Sequence, residues 1–335
     1  MTQRPVALFA MRSRDLPDVF PPQVLRQLRE AVTIDPDLIA ERFDDPRVLE
    51  VLASAEILIT GWASPVIDAE VLAAAPRLRS VVHWAGTVKG HLSDDCWDRG
   101  LLISSAAEAN GVPVAEYSLA AILFAGKGLF ALRERYRADR AFTLAAVEPG
   151  VGNFRRRVGI IGASRIGRRV IELLRPFDFE VFLADPYVEA SDAAALGVTP
   201  VDLDTLLACC DVVSLHAPST PGTRNMLNRD RLALMREGAT LINTARGELV
   251  DTEALTDEVA QGRLTAVLDV THPEPLDPES RLFDLPGAFL TPHVAGSHGN
   301  ELERLGRSAV GEVERLVSGL PLAYPVLREQ LSRSA

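Results

Sequence analysis

Residues Arg157–Leu174 read RVGIIGASRIGRRVIELL. A short β-branched run is followed by Gly162, a small polar turn and a stretch with helical spacing of apolar residues. Strand, tight glycine turn and helix is the arrangement in which a dinucleotide's phosphates meet a helix N-terminus. In the G-x-G-x-x-G form the first glycine makes the bend and the second lets the backbone approach the pyrophosphate. The third allows close packing of helix on strand. Gly162 and Gly167 fill the first and third places, but Ser164 stands in the middle. Its Cβ intrudes where closeness matters, while its hydroxyl is a donor for a phosphate oxygen. Taken alone, such a turn is explained equally well as a plain strand–helix junction.

The next strand pattern, EVFLADP, ends in Asp185. An acidic residue about 20 positions on, at the end of the second strand, is where a ribose 2′-hydroxyl binds. The same carboxylate repels a 2′-phosphate, so the expected cofactor is NAD rather than NADP. A carboxylate that merely caps the turn before Pro186 is the competing reading.

Around this unit the chain alternates in α/β fashion. VALFAM (6–11), ILIT (57–60), SVVHWA (80–85) and LLISS (101–105) read as buried parallel strands separated by helical patterns. An Ala- and Leu-rich helical pattern runs from Val112 to Arg140. A second series follows, with strands expected in RVGIIGA, EVFLAD, DVVSLHA, ATLINTA, TAVLDV and AFLTP, and a last helix over 300–318.

Composition bounds what such a chain does. Its 335 residues suffice for two cores, and 47% hydrophobic with 24% charged residues is ordinary for a globular protein. A formal net charge of −11 argues against a phosphate-backbone-binding face, so no nucleic-acid partner is expected. The three cysteines, Cys96, Cys209 and Cys210, make a poor disulfide framework and fit a reducing compartment. No metal-ligand spacing stands out. The N-terminus lacks a signal-peptide pattern, and the apolar stretch 119–132 is interrupted by Lys127 and falls short of a span. A cytoplasmic protein without membrane association is expected.

Three downstream stretches each close a predicted strand: LINTARGELVD with Arg246, AVLDVTHPEPL with Asp269 and Glu274, and FLTPHVAG with His293. Open α/β sheets bind ligands at this edge. An arginine there can bind a carboxylate and polarise a neighbouring carbonyl. A histidine can supply the proton, and a carboxylate can hold the imidazole in one tautomer and raise its pKa. Singly, each residue has a plainer explanation: a surface ion pair for Arg246, a solvated loop for Glu274, a satisfied loop histidine for His293. As an ordered set behind a glycine turn they point to carbonyl reduction.

The order GASRIG, DP, HAPSTPGTRNML, NTARGELVD, LDVTHPEPL, LTPHVAG resembles the D-isomer-specific 2-hydroxyacid dehydrogenases. The resemblance covers the second α/β series throughout and most of the first more weakly. It implies two Rossmann-like, doubly wound parallel-sheet domains. One is a flavodoxin-like substrate domain over 1–110 and 305–335, the other an NAD-binding domain over 111–304, with substrate in the cleft between them. It implies Arg246, Glu274 and His293 as the catalytic trio, and a homodimer. Gly162, Ser164, Arg165, Ile166 and Gly167 would face the pyrophosphate and Asp185 the adenosine ribose. His216, Ala217, Pro218 and Thr223 would lie on the adenine side, and Thr244, Ala245, Asp269, His293 and Gly296 along the nicotinamide.

By the same resemblance AGTVKGHL (85–92) is the loop usually written A-G-x-G-x-D, whose amides hold the substrate carboxylate. Ala85, Gly86, Thr87 and Lys89 would then bind substrate together with Arg246 and His293. Val88 replaces the second glycine and Gly90 the aspartate. Lys89, with His83 or His91, would favour a second anionic group; a solvated lysine is the plainer reading. Two other functions stay open on the sequence. One is a phosphite- or formate-type dehydrogenase, the latter disfavoured because Glu274 stands where glutamine is found. The other is an NAD-sensing, corepressor-like protein without catalysis, disfavoured by the absence of long low-complexity tails.

Overall fold

The computed structural model describes residues 4–141 and 151–331. The expected domain spans also run through 1–3, 142–150 and 332–335, which lie outside the described residues. The chain divides into two compact units, one running to Gly111 and resuming at Ser297, the other spanning Val112–Gly296. Re-entry into the first unit thus comes at Ser297, earlier than the expected 305.

In the first unit β1 (Ala7–Ala10), β2 (Ile57–Thr60), β3 (Ser80–His83) and β4 (Leu102–Ser105) pair in parallel in that order. The first three are buried throughout, which is why they read as unbroken apolar runs. Beyond β1, Thr33 and Ile39 make single parallel bridges to Val6 and Phe9. This segment stands where the edge strand of a flavodoxin-like sheet belongs. Reduced to two bridges, it carries too little strand pattern to be seen in the sequence. One face of the sheet is covered by Val24 and Leu28 together with Leu305, Ala309 and Val313 of the helix Leu302–Val317. Leu52, Leu72, Val88 and Cys96 cover the other.

The second unit adds β5 (Arg157–Ile161), β6 (Glu180–Ala184), β7 (Thr199–Pro200), β8 (Val212–Leu215), β9 (Thr240–Asn243), β10 (Thr265–Leu268) and β11 (Ala288–Leu290). Their spatial order is β11-β10-β9-β8-β5-β6-β7, all parallel. The strand order reverses between β5 and β8, and a ligand crevice is expected at the carboxyl ends of these two strands. Two-residue β7 had no sequence signal.

The pattern expected as one helix over 112–140 is two, Ala107–Gly126 and Leu129–Asp139, bent by 59°. Gly128, with φ +62°, turns the chain there. Among the described residues no single helix is long and apolar enough to cross a membrane; only this bent pair, taken together, passes by length and composition.

Three imidazoles are buried. His83 Nδ1 lies 3.0 Å from the Thr60 hydroxyl, and His91 Nε2 lies 3.3 Å from the same oxygen. His216 Nε2 lies 2.9 Å from Ser214 Oγ. Burial lowers His91 and His216 to about 4. Burial, followed by the charge of His91, lowers His83 well below the ordinary imidazole value. The unfolded chain therefore takes up protons first. Stability is full above about pH 6.5 and falls as pH drops, by up to about 1.4 kcal/mol per pH unit for each ring. Urea unfolding of His216→Asn should lose about 2 kcal/mol less between pH 7 and pH 5 than the parent chain. Equal losses would show that this ring is not held neutral.

Candidate active site

Gly162 follows β5 with φ +93°, and a Cβ on it would lie 2.7 Å from the amide nitrogen of Ala217, which follows β8. The two strands at the reversal point therefore meet through a glycine that nothing larger can replace. A Cβ on Gly167 would stand 2.0 Å from the carbonyl oxygen of Gly162, so the third glycine seats the helix Arg165–Leu174 on the turn. Ser164 answers the question its position raised. With φ −62° and ψ 176° it is extended, a conformation any residue adopts, and its hydroxyl accepts a hydrogen bond from the Gly167 amide at 3.3 Å. It is the helix N-cap, for which serine is a favoured residue. The turn is intact.

Asp185 does cap its own turn, as the plainer reading had it. One oxygen accepts from the Tyr187 amide at 2.8 Å. The other accepts from the Ala163 amide at 2.7 Å, fastening the end of β6 to the phosphate turn. Each oxygen keeps a lone pair for a ribose hydroxyl. Arg165 is exposed and Ile166 half-buried beside this turn. On the adenine side, the Thr223 hydroxyl donates to the Pro218 carbonyl at 2.6 Å and accepts from the Thr220 amide at 2.9 Å, closing the loop. The His216 side chain belongs to the core rather than to the cofactor edge.

The remaining residues lie in three loops that follow adjacent strands. After β9, the Arg246 guanidinium donates to the Ala245 carbonyl at 2.6 Å, and Asn243 ties the loop by donating to the Arg246 carbonyl at 2.9 Å. A Cβ on Gly247 would fall 2.0 Å from the Thr271 carbonyl group, so the arginine loop packs directly against the loop after β10. That loop carries Asp269 and Glu274. After β11, His293 has φ +55°, the left-handed region that a histidine rarely adopts.

His293 Nδ1 and Glu274 Oε1 are 2.5 Å apart. The side chains are half exposed, at 51% and 41%, so the imidazole edge stays open to a reactant. Asp269, by contrast, is buried. Its carboxylate accepts from Thr291 Oγ1 at 2.6 Å and from the amides of Val294 and Ala295 at 2.8 and 2.9 Å. Its carbonyl accepts from the His293 amide at 2.9 Å. Thr244 is buried too, with its hydroxyl 3.1 Å from that of Ser118. Gly296 is the last residue of this unit.

In the first unit, Ala85 is buried, Gly86 half-buried, and Thr87 and Lys89 exposed. Val88 enters the core beneath the loop, so replacing a glycine there puts no side chain on the loop's exposed face. The expected help of His83 or His91 in binding an anion is overturned: both rings are buried, engaged by Thr60 and kept uncharged.

A family model described as the D-isomer specific 2-hydroxyacid dehydrogenase, NAD binding domain, matches residues 119–295. The chain belongs to this family. A D-3-phosphoglycerate dehydrogenase of Mycobacterium tuberculosis is 34% identical over 281 residues, covering 82% of this chain and 52% of that one. The chain thus spans about half the length of the curated relatives of this kind that it matches. An (S)-sulfolactate dehydrogenase of Chromohalobacter salexigens is 34% identical over 287 residues, 85% of this chain and 91% of that one. A D-lactate dehydrogenase of Aquifex aeolicus, solved with NAD and lactic acid, is 28% identical with a TM-score of 0.68, covering 93% and 96% of the two chains. NAD is the cofactor that this chain's turn and Asp185 fit. Sequence reasoning missed Tyr117, Ser118 and Thr291, whose hydroxyls support these loops; only their closeness in sequence to recognised motifs marks them.

Because Ser164 acts as a cap, Ser164→Gly should leave NADH affinity, measured by calorimetry, within about three-fold, since glycine at an N-cap costs only tenths of a kcal/mol. Gly167→Ala should weaken it by at least about ten-fold, because a backbone carbonyl blocks the added methyl. The reverse ranking would show that the middle position, not the third, governs the turn.

Proposed function

We propose that this dehydrogenase interconverts a 2-oxo acid and the corresponding (R)-2-hydroxy acid. The observation that carries the reading is the hydrogen bond between His293 and Glu274, set beside the Arg246 loop at the carboxyl edge of a dinucleotide-binding sheet. A carboxylate only accepts, so the proton in that bond resides on Nδ1 and the other ring nitrogen faces the reactant. NADH, when bound, supplies the hydride received by the carbonyl carbon. Arg246 binds the carboxylate of the 2-oxo acid and polarises its carbonyl. His293 delivers the proton to the carbonyl oxygen from Nε2, and Glu274 stabilises the imidazolium that exists before transfer.

The finer reading is a substrate with a second anionic group, held by Lys89 on the 85–92 loop. Support comes from the exposure of Lys89 and from relatives named for phosphoglycerate and sulfolactate. For a 3-sulfo substrate the same spatial arrangement takes the descriptor (S), because a sulfur-bearing carbon outranks a carboxyl carbon. A homodimer is proposed through the bent helix pair, where Phe124, Leu129 and Tyr136 are exposed.

NADH consumption should be seen with 2-oxo acids, faster with those bearing a second anionic group, and weaker with NADPH in place of NADH. His293→Ala should lower kcat by about 10²- to 10⁴-fold, the usual share of a general acid. Lys89→Ala should erase the preference for the dianionic acids; an unchanged preference removes the finer reading alone. Tight NADH binding with silence on every acid would favour the sensor function instead.

A further inference from the structure

Tyr117 and Ser118 are neighbours on the helix Ala107–Gly126, and each reaches a different loop of the site. The Tyr117 hydroxyl lies 2.8 Å from Thr291 Oγ1, and the Ser118 hydroxyl lies 3.1 Å from Thr244 Oγ1. Proton counting fixes the direction of both contacts. Thr291 has one hydroxyl proton, and it must go to Asp269 Oδ1 at 2.6 Å, since an ionised carboxylate has none to give. Tyr117 therefore donates to Thr291. Ser118 gives its proton to the Val114 carbonyl at 2.8 Å, so Thr244 donates to Ser118. Burial, and then the nearby Asp269 charge, raise the Tyr117 pKa, so the phenol keeps the proton it donates.

The two chains of bonds end on different catalytic loops. Tyr117, Thr291 and Asp269 form a line whose last member holds the amides of Val294 and Ala295, while the Asp269 carbonyl holds that of His293. A residue at φ +55° persists only where its surroundings over-determine it. Thr244 lies two residues before Arg246, in the loop that Asn243 ties by donating to the Arg246 carbonyl at 2.9 Å. Ser118 is fully buried and Tyr117 half-buried.

We infer that Tyr117 and Ser118 are positioning residues that set the His293 and Arg246 loops from one helix, Tyr117 governing proton delivery and Ser118 governing substrate binding. The inference rests on the dehydrogenase reading above and assigns it two further residues. Lines of hydrogen bonds strengthen one another in a poorly solvated interior, and small misplacements of reacting groups are expensive in rate.

The test is a division of effects between two conservative variants. Tyr117→Phe should lower kcat about ten-fold and increase the solvent deuterium isotope effect on kcat, with KM for the 2-oxo acid changed less than two-fold. Ser118→Ala should raise that KM about five-fold and leave the isotope effect as in the parent. Imidazole ¹H–¹⁵N spectra of the cofactor-free chains add a readout independent of turnover. His293 should show one tautomer protonated at Nδ1 in the parent and in Ser118→Ala, and a broadened or mixed signal in Tyr117→Phe. An active parent whose variants match it, or whose variants lose kcat in step with melting temperature at constant isotope effect, overturns the inference. A parent silent on every acid whose His293 signal still broadens only in Tyr117→Phe would sink the functional reading and leave the Tyr117 positioning role standing.

Discussion

A parallel sheet imposes one constraint from which the rest of the site follows. Every strand must return to the same edge before the next begins, so all the carboxyl-end loops of β5 to β11 collect on one side. The reversal between β5 and β8 then sorts them. Asp185, after β6, falls on one side of the phosphate turn; Arg246, Glu274 and His293, after β9, β10 and β11, fall on the other. A dinucleotide laid across the reversal has its adenosine and nicotinamide ends assigned by strand order alone. Residues separated by long stretches of chain can therefore share one chemistry.

Within that edge, charge is handled in two opposite ways. Asp269 is buried and given three donors, which is the condition for keeping a carboxylate inside a protein. Glu274 is half exposed and bonded to a single imidazole. The first arrangement is rigid and suits a part that holds backbone. The second leaves the side chain of its partner His293 in contact with solvent. Exchanging the two environments would leave an imidazole with no route to solvent and a loop with nothing to hold it.

How much of this was legible in the sequence depended on whether the signal was local. Strands buried on both faces, such as β1 to β3, β8 and β9, announce themselves as apolar runs; β4 to β6, β10 and β11, less evenly buried, were readable from their short apolar stretches as well. Two-residue β7 and the bridged segment at Thr33 and Ile39 were not, because so few residues leave no periodicity. The break at Gly128 was hidden inside an apolar pattern that continues on both sides of it. Ser164 and Val88 looked like damage only because motif reading assigns every position to the ligand. In the fold, Ser164 caps a helix and Val88 fills the core. His83 and His91 erred in the other direction. Their closeness to Lys89 in sequence suggested an anion site, whereas His83 at the end of β3 and His91 in the loop after it both turn their rings inward to Thr60.

The hydroxyls of Tyr117, Ser118 and Thr291 were invisible for a physical reason. A hydroxyl matters here only through the one proton it directs, and the direction is set by partners 126 or 174 positions away. Nothing local in VPVAEYSLA distinguishes a serine that donates back to its own helix from one that receives a distant threonine; Ser118 does both. The same economy explains why His293 can occupy a left-handed backbone conformation. The cost of such a conformation, about 1–3 kcal/mol, is of the same order as the bonds that Asp269 makes to the residues on either side of it. The strain therefore sits in the loop after β11 and its restraint in the neighbouring loop after β10, and the imidazole is held from the backbone while its side chain stays half exposed.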